Sequence, residues 1–442
     1  MPYTVAFVSL GCAKNVVNCE QMMALCRDAG HKVQMEEEGA DVVVINTCGF
    51  IDSAKEEAIE NILRVAALKD QGLVKKILVT GCLTQRYQPD VVEELPEVDG
   101  VLGTGSFKDI VQAIDMVMEG SYPKLFDDIH AAVDEFDRVL TTPKHYAYLR
   151  IAEGCGNWCA FCIIPKLRGR YRSRPMDKVI EEAKWLSGQG VQELIIIAQD
   201  ITRYGTDWDG KHHLAELLKE LCKLDFHWIR LHYLYPDQMD DELIDTIASE
   251  EKILNYLDIP IQHCNDQILK AMNRKGDKAY IEELFGKLRD RIPDLVIRTS
   301  LITGLPYEDE EAFEELCDFL REQKLLRAGV FPYSPEEGTP AAKMLNRVDE
   351  DEAARRAELV VDIQSRIMDE WNEDMLGREV EVLCDGFDPQ SMCCVGRSWA
   401  ESPDIDGKIY IIGEPDIPAG KFVTVRITGA MDGELTGELV EA

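Results

Sequence analysis

The chain of 442 residues is short of positive charge, with 48 Lys and Arg against 82 Asp and Glu and a formal net charge of −34. Cations supply most of the sequence-independent attraction to phosphate, so long-range capture of nucleic acid is disfavoured. An acidic surface suits a basic partner or plain solubility. Apolar runs of membrane-spanning length are also missing, and the N-terminus enters a strand-like segment, Tyr3 to Leu10, with no basic-then-apolar leader. These features predict no membrane partner and a cytoplasmic location. Histidines are few, and His212, His213, His227 and His232 lack the two-histidine spacing of a mononuclear metal site. Cysteine is not scarce, at fourteen, but disulfide frameworks belong to short secreted chains. The thiols therefore point to metal binding, and a chain of this length predicts two or three domains.

The densest thiol stretch is Gly154 to Arg174, GCGNWCAFCIIPKLRGRYRSR, with Cys155, Cys159 and Cys162 inside eight positions and no fourth ligand nearby. A structural zinc site closes with four ligands, whereas an iron–sulfur cube on three thiolates leaves one iron open to a small molecule. The bland alternatives are a zinc loop borrowing a remote ligand, or three buried cysteines packing as small apolar residues. A strand-like run precedes the loop, and Trp158 and Phe161 are expected to pack between the ligands. The C-x3-C-x2-C spacing resembles the signature of radical S-adenosylmethionine (SAM) enzymes, in which the free iron binds the amino and carboxylate groups of SAM.

From Tyr3 to about Gly120, strand-like runs alternate with helical ones, the pattern of a doubly wound parallel sheet. Cys12, Cys48 and Cys82 each end a strand-like run, and in a parallel sheet all such ends share one edge. Thiols about thirty-five residues apart can therefore meet, with Gly11, Gly49 and Gly81 beside them to permit tight turns. The alternative is three unrelated strand-end thiols. Cys19 and Cys26 fall within a predicted helix and read as core residues.

The stretches SLGCAKNVVNCEQM, VINTCGFIDSAKEEAI and TGCLTQRY resemble the N-terminal domain of the methylthiotransferase family of radical SAM enzymes, and the likeness runs through essentially the whole chain. It implies that Cys12, Cys48 and Cys82 hold an auxiliary [4Fe-4S] cluster beside the radical SAM [4Fe-4S] cluster on Cys155, Cys159 and Cys162. It also implies SAM as radical source and methyl donor, and an electron donor such as flavodoxin or ferredoxin.

The expected organisation is an N-terminal domain over 1–120, a linker over 121–144, a radical SAM core over 145–373 and a small antiparallel β-barrel over 374–442. The linker reading rests on the acidic, irregular DDIHAAVDEFDR, where His130 reads as solvated. In the core, candidate strands at Ala147–Ala152, Glu193–Ala198, Trp228–Tyr233, Tyr256–Ile261, Leu295–Leu301 and Leu326–Phe331 predict a partial (β/α)6 barrel with its site at the C-terminal strand ends. Gln199, Asp200 and Gly304 at those ends, and Arg168 in the basic run Arg168, Arg170, Arg172 and Arg174, are candidate SAM contacts. The arginines have a second reading, pairing with the protein's own acids. Asp309, Glu310 or Glu311 is expected to cap a helix, Cys264 to pack in the core, and His263 either to be satisfied in the core or to meet substrate. Where the family motif usually ends Gly-Phe-Pro-Gly-Glu, this chain has Gly304-Leu305-Pro306-Tyr307-Glu308.

A long helix over Asp349 to Met375 leads into the C-terminal strands, which resemble the TRAM module, an OB-like barrel often used for RNA binding. Fourteen acidic and five basic residues between Asp374 and Ala442 make RNA binding by this module a poor expectation and a basic ribosomal protein a good one. The runs AQDITRYG and NTCGFI look like the protein-modifying branch of the family, the RimO group, although Val17-Asn18-Cys19-Glu20 replaces its more usual Val-Asp-Ser-Glu. The expected activity is methylthiolation of an aspartate β-carbon in a small-subunit ribosomal protein. Alternatives are the same chemistry on a modified adenosine of transfer RNA and a non-catalytic zinc-binding scaffold. A cobalamin-dependent enzyme is disfavoured because D-x-H-x-x-G is absent.

Overall fold

In the computed structural model the described residues are 2–133, 137–413, 416–431 and 433–440. The N-terminal apolar runs form parallel strands β1 (Thr4–Ser9), β2 (Lys32–Gln34), β3 (Val42–Thr47), β4 (Lys76–Gly81), β5 (Gly100–Leu102) and β6 (Lys124–Leu125), ordered β2-β1-β3-β4-β5-β6. Central β3, VVVINT, is buried at every position, as a strand covered on both faces must be. Helix α1 (Ala13–Asp28) covers one face, with Cys19, Met22 and Cys26 in its core, and α2 (Asp52–Asp70) covers the other with Ala58, Ile62 and Val65.

The segment 121–144 differs from the solvated linker expected of it. Its β6 completes the N-terminal sheet beside β5. Its Arg138 is buried, ion-paired to Glu20 of α1 at 3.3 Å and to Glu182 of the core at 3.0 Å. Glu20 also accepts from the Thr141 backbone N–H at 2.7 Å, so the charges of this stretch clamp the two units together. Residues 134–136 of the expected linker lie outside the described residues.

The core begins with β7 (Tyr146–Arg150), followed by β8 (Ala152–Glu153), β9 (Arg172–Ser173), β10 (Glu193–Ile197), β11 (Trp228–Leu231), β12 (Ile253–Asp258), β13 (Val296–Thr303) and β14 (Arg327–Pro332). Among the described residues six of them form one open parallel sheet, β14-β13-β12-β11-β10-β7. The fourth strand starts three residues before the expected Tyr256 and ends at Asp258. Pro260 cannot donate to a ladder, and Gln262 turns to φ +72°, so the chain leaves the sheet there. Strands β8 and β9 pair antiparallel, Ala152 with Ser173 and Glu153 with Arg172, and close the base of the cysteine loop.

Helix Glu350–Met375 leads to a closed barrel of β15 (Glu379–Asp388), β16 (Cys393–Arg397), β17 (Ile409–Ile412), β18 (Phe422–Met431) and β19 (Glu434–Leu439). It docks at the N-terminal strand ends of the core. Glu193, first residue of β10, lies fully buried between Arg230 and Arg397, each at 2.6 Å, and Arg397 also meets Asp385 at 2.9 Å. Removing one member of such a set would strand a buried charge, so the barrel is firmly seated. Its 398–406 segment reaches across the sheet face turned away from the helices, where Ser402 meets His232 at 2.9 Å and Asp406 accepts from Tyr256 at 2.7 Å. The acidic barrel is thereby held at the opposite end of the strands from the cysteine loop.

Candidate metal centres and the gap between them

Cys155, Cys159 and Cys162 lie on the loop between β8 and a short helix, Ile164–Arg168. Hydrogen bonds fix the loop. The Asn157 side chain donates to Asp200 at 2.8 Å and accepts from Arg203 at 2.7 Å, while Asn273 donates to the Trp158 carbonyl at 3.0 Å. Cys159 Sγ lies 3.7 Å from both the Tyr235 hydroxyl and an Arg274 nitrogen, and that guanidinium stacks 4.2 Å over the Tyr235 ring. Burial, then the charges of Asp200 and Cys159, push the Cys155 thiol up to about 11. Burial and the neighbouring thiols Cys159 and Cys155 push Cys162 higher still. Thiols held this way lose their proton to a metal rather than to water. A cleft of about 400 Å³ opens onto Cys159 and Cys162, lined also by Trp158, Lys166 and Lys343. Trp158 does not pack between the ligands as expected. It takes φ +52° at the turn and stays 58% exposed, while Phe161 packs against the Ala160, Met272 and Leu305 cluster.

The second triad is built by the N-terminal sheet edge. Cys12 is the N-cap of α1, Cys48 follows β3, and Cys82 opens helix α3 (Cys82–Arg86) directly after β4. Gly11 has φ +87°, and a Cβ there would come 2.7 Å from Cys48 Cβ and 3.1 Å from its sulfur. Gly81, at φ +104°, leaves no room for a Cβ against the Thr47 carbonyl. Each glycine is thus demanded by the neighbouring strand end that brings a cysteine in. Burial pushes Cys48 up to about 11, and Cys82 and Cys12 add to the rise. Burial raises Cys12 too, but Lys14 and Arg168 outweigh it and leave its thiol lowered.

Within each triad the thiols lie near enough to raise one another, Cys82 and Cys12 acting on Cys48 and Cys159 and Cys155 on Cys162, and three thiolates suit a cube bound through three of its irons. Among the described residues no three His, Cys, Asp or Glu side chains converge as a single-ion site requires.

The two triads are joined by helix Ile164–Arg168. Ile163 and Leu167 pack on Cys82, Thr104 donates to the Leu167 carbonyl at 2.5 Å, and Arg168 lies with Nε 3.4 Å from Cys82 Sγ. Cys162 stands just before this helix, so the triads are on the order of 10 Å apart, a five-residue helix and its flanks. On the far side Arg86 bonds the Gly49 carbonyl at 3.0 Å and buried Glu336 at 2.6 Å.

Arg168, expected at SAM, is placed on the Cys82 side instead. It is 3% exposed and also donates to Asn15 at 2.5 Å and Glu153 at 3.4 Å. Arg174 pairs with Glu182, and Arg172 bonds the Arg168 and Arg170 carbonyls, so these arginines serve the protein's own acids and backbone. Gln199 donates to Glu153 at 2.5 Å and sits between the triads. Asp200 is fully buried and spends its carboxylate on Asn157, Thr202 and Arg203, which makes it a positioner of the cysteine loop. Gly304 is required by packing, since a Cβ would run into Ala353 of the long helix, and its N–H donates to Glu308 at 2.9 Å. Tyr307, where the family motif has glycine, takes φ +74° and fastens its N–H to Asn346 at 2.8 Å. His263 is a core histidine: its Nδ1 accepts from the Cys264 and Asn265 N–H groups at 3.0 Å, and its Nε2 stands 3.3 Å from Glu308. Asp309 caps its helix at the Ala312 N–H, Cys264 is buried in the core, and exposed His130 accepts from the Arg170 N–H at 3.1 Å.

Sequence reading missed Glu153, Asn157, Tyr235, Arg274 and Lys14. Glu153 is the hub. Burial alone would raise its carboxyl, but Arg168 and Arg150, with the Gln199 and Gly154 donors, bring it down to about 2. Its place at the last strand residue before the loop was the available signal.

The three-cysteine loop after the first core strand of an open parallel sheet is the arrangement of a radical SAM enzyme, with a second cysteine triad on the edge of the N-terminal sheet. The comparisons agree: a Radical SAM superfamily model matches 149–320, Uncharacterized protein family UPF0004 matches 4–103, and a TRAM domain model matches 376–440. A ribosomal protein uS12 methylthiotransferase RimO from Lachnoclostridium phytofermentans is 46% identical over 433 residues, covering 98% of each chain. One from Thermoanaerobacter sp. is 44% identical over 98% of this chain and 99% of its own. The chain belongs to the RimO family of methylthiotransferases. Among solved structures it is similar to the radical SAM methyltransferase TsrM from Kitasatospora setae, with cobalamin and a [4Fe-4S] cluster bound, at TM-score 0.58, 15% identity and 77% coverage of each chain. At that identity the likeness is one of fold.

Proposed function

We propose that the chain installs a methylthio group on the β-carbon of an aspartate in the small-subunit ribosomal protein uS12. The observation that supports this reading is the helix Ile164–Arg168, which starts two residues after Cys162 and packs against Cys82 through Leu167 and Arg168. Cys155, Cys159 and Cys162 hold the radical SAM cluster, and Cys12, Cys48 and Cys82 hold the auxiliary one. When bound, the two clusters and SAM supply the one-electron chemistry, sulfur and methyl group that acid/base side chains lack. The chain's own residues do the placing. Asp200, Asn157 and Arg203 fix the loop, Tyr235 and Arg274 flank Cys159, and Arg168 sets a positive charge beside Cys82.

The net charge of −34 favours encounter with a basic ribosomal protein and opposes RNA. With a barrel segment carrying fourteen acids against five basic residues, we assign the TRAM module no RNA-binding role. Among the described residues no helix is long and apolar enough to cross a membrane. The working setting is the cytoplasm, with flavodoxin or ferredoxin as electron donor. The test offers the purified enzyme, SAM and a reductant either the ribosomal protein or transfer RNA. The protein should gain one methylthio group on aspartate; a mass gain on RNA, or on neither, overturns the reading.

A further inference from the structure

The loop triad has a fixed cation set against it. The helix Asp266–Ala271 ends with Asn273 in the left-handed region at φ +55°, its N–H on the Lys270 carbonyl at 3.2 Å, and with the Arg274 N–H on the Leu269 carbonyl at 2.8 Å. Asparagine tolerates that turn, and the two bonds satisfy carbonyls the helix would leave free. The chain is sent back along the cysteine loop. There the Ala160 N–H donates to the Met272 carbonyl at 2.9 Å, and the Asn273 side chain donates to the Asn157 and Trp158 carbonyls at 3.2 and 3.0 Å. Arg274 follows directly and is thereby delivered to Cys159.

Its guanidinium is clamped on three sides. One terminal nitrogen lies 3.7 Å from Cys159 Sγ, the other donates to the Pro260 carbonyl at 2.5 Å, and the plane stacks 4.2 Å over the Tyr235 ring. Tyr235 is held in turn: its N–H donates to the Thr202 hydroxyl at 3.3 Å, and the Thr202 N–H donates at 3.0 Å to Asp200, the acid that fixes the loop through Asn157. A guanidinium keeps its charge in a protein, and its planar fork reaches a carbonyl and a sulfur together, as a lysine cannot. No carboxylate of the described residues lies within 4 Å of it, and Asp237, an acid whose charge reaches it, is shared with Lys275 at 3.7 Å. Arg168 beside Cys82 differs, since Glu153 stands 3.4 Å from it and takes up part of its charge. Of these two guanidinium groups, the one at the loop triad is the less neutralised.

An iron–sulfur cluster that takes up an electron becomes more negative, and its thiolate ligands share the added charge. In this half-buried site a fixed cation stabilises the reduced form more than the oxidised one, as does an N–H donor on a ligand sulfur. We propose that Arg274 raises the reduction potential of the cluster on Cys155, Cys159 and Cys162, and so sets how readily that cluster accepts an electron. The electron is the one that the reduced carrier protein gives up. The inference rests on the proposed function for the identity of the cluster and adds the residue that governs its reduction.

The test is a potentiometric titration of the anaerobically reconstituted full chain, read by electron paramagnetic resonance, on wild type, R274Q and R274K, with iron, sulfide and SAM affinity measured alongside. The loop cluster is told from the auxiliary one by the change of its signal when SAM is added. At the midpoint of wild type, R274Q should show a ratio of reduced to oxidised loop cluster lower by roughly tenfold to a hundredfold, the size of a hydrogen bond to a charged group. Its iron and sulfide should be unchanged, and the auxiliary midpoint should stay where it is. R274K keeps the charge but not the fork and should fall between the two. A loop potential in R274Q equal to that of wild type overturns the inference; if SAM affinity is weakened at the same time, Arg274 is a SAM contact instead. Should R274Q fail to hold the loop cluster, R274K decides, and a potential equal to that of wild type there overturns the inference. Wild type that holds both clusters but leaves the ribosomal protein unmodified overturns the proposed function alone, because the potential is read without substrate, and wild type that holds zinc without sulfide overturns both.

Discussion

The two cysteine triads are built in opposite ways. Cys155, Cys159 and Cys162 come from one short loop, and what holds them is side-chain hydrogen bonding, Asp200 to Asn157 to Arg203 and Asn273 to the Trp158 carbonyl. Cys12, Cys48 and Cys82 come from three strands, and what holds them is the parallel sheet plus glycines that let adjacent strand ends touch. A loop-borne site can be tuned by a few side chains and can open to a small molecule. A sheet-borne site is as rigid as its fold and fails with it. The division suits a radical SAM cluster that must exchange SAM and an auxiliary cluster that must stay in place.

The sharpest break in this comparison is removal of a ligand from each side. Cys155→Ala should abolish SAM cleavage and leave the auxiliary iron bound, whereas Cys12→Ala should keep reductive SAM cleavage and lose the methylthiolated product. Deoxyadenosine and product assays on both variants check this, and SAM cleavage at a normal rate in Cys155→Ala contradicts it.

Next comes the backbone. Gly81→Ala adds a Cβ against the Thr47 carbonyl at φ +104°, and should destabilise the chain by about 2–4 kcal/mol. Gly190→Ala, at φ +87° with open space around it, should cost only about 1 kcal/mol. Urea unfolding measures the pair, and equal costs would remove the argument for crowding at the sheet edge.

Glu153 links the two sites, so Glu153→Gln should strand Arg150 and Arg168 at a cost of about 3 kcal/mol. The carboxyl is lowered from 4.5 to about 2, so its stabilisation is complete above the unfolded value and disappears as pH falls through the folded one. The stability gap between wild type and variant should therefore be constant above pH 4.5 and close toward pH 2. A gap independent of pH would show that the charge is not its source. Of the variants at the cysteine loop the smallest effect is expected from Asn157→Ala, which removes two hydrogen bonds worth about 1–3 kcal/mol of loop fixation. It should lower iron occupancy of the loop site and leave the sheet-edge site loaded.

The same contrast explains what the sequence disclosed. The loop triad is legible from spacing alone, because its three ligands are close along the chain. The sheet-edge triad is legible only once the strands are read as parallel and their C-terminal ends put on one edge. The strand pattern also located the core strands, with the fourth displaced because Pro260 and the left-handed Gln262 end it early. Arg168 misled because a basic run near a SAM loop suggests a ligand contact, while only the docking of the N-terminal unit shows that it lies against Cys82. Arg138 was hidden in the same way, in a stretch whose charges look solvated until Glu20 and Glu182 are seen to enclose it. Trp158 defeated the reading through one backbone angle. For Arg168 and Arg138 the missing information was a contact between units far apart in sequence.

The central claim is that this chain carries two independent three-thiol cluster sites. Iron and acid-labile sulfide should be quantified in anaerobically reconstituted wild type, in the triple alanine variant of Cys155, Cys159 and Cys162, and in that of Cys12, Cys48 and Cys82. The account predicts about eight iron and eight sulfide per wild-type chain and about four of each in either variant, as two cubes require. Zinc without sulfide, or either variant emptied of both clusters, would contradict it.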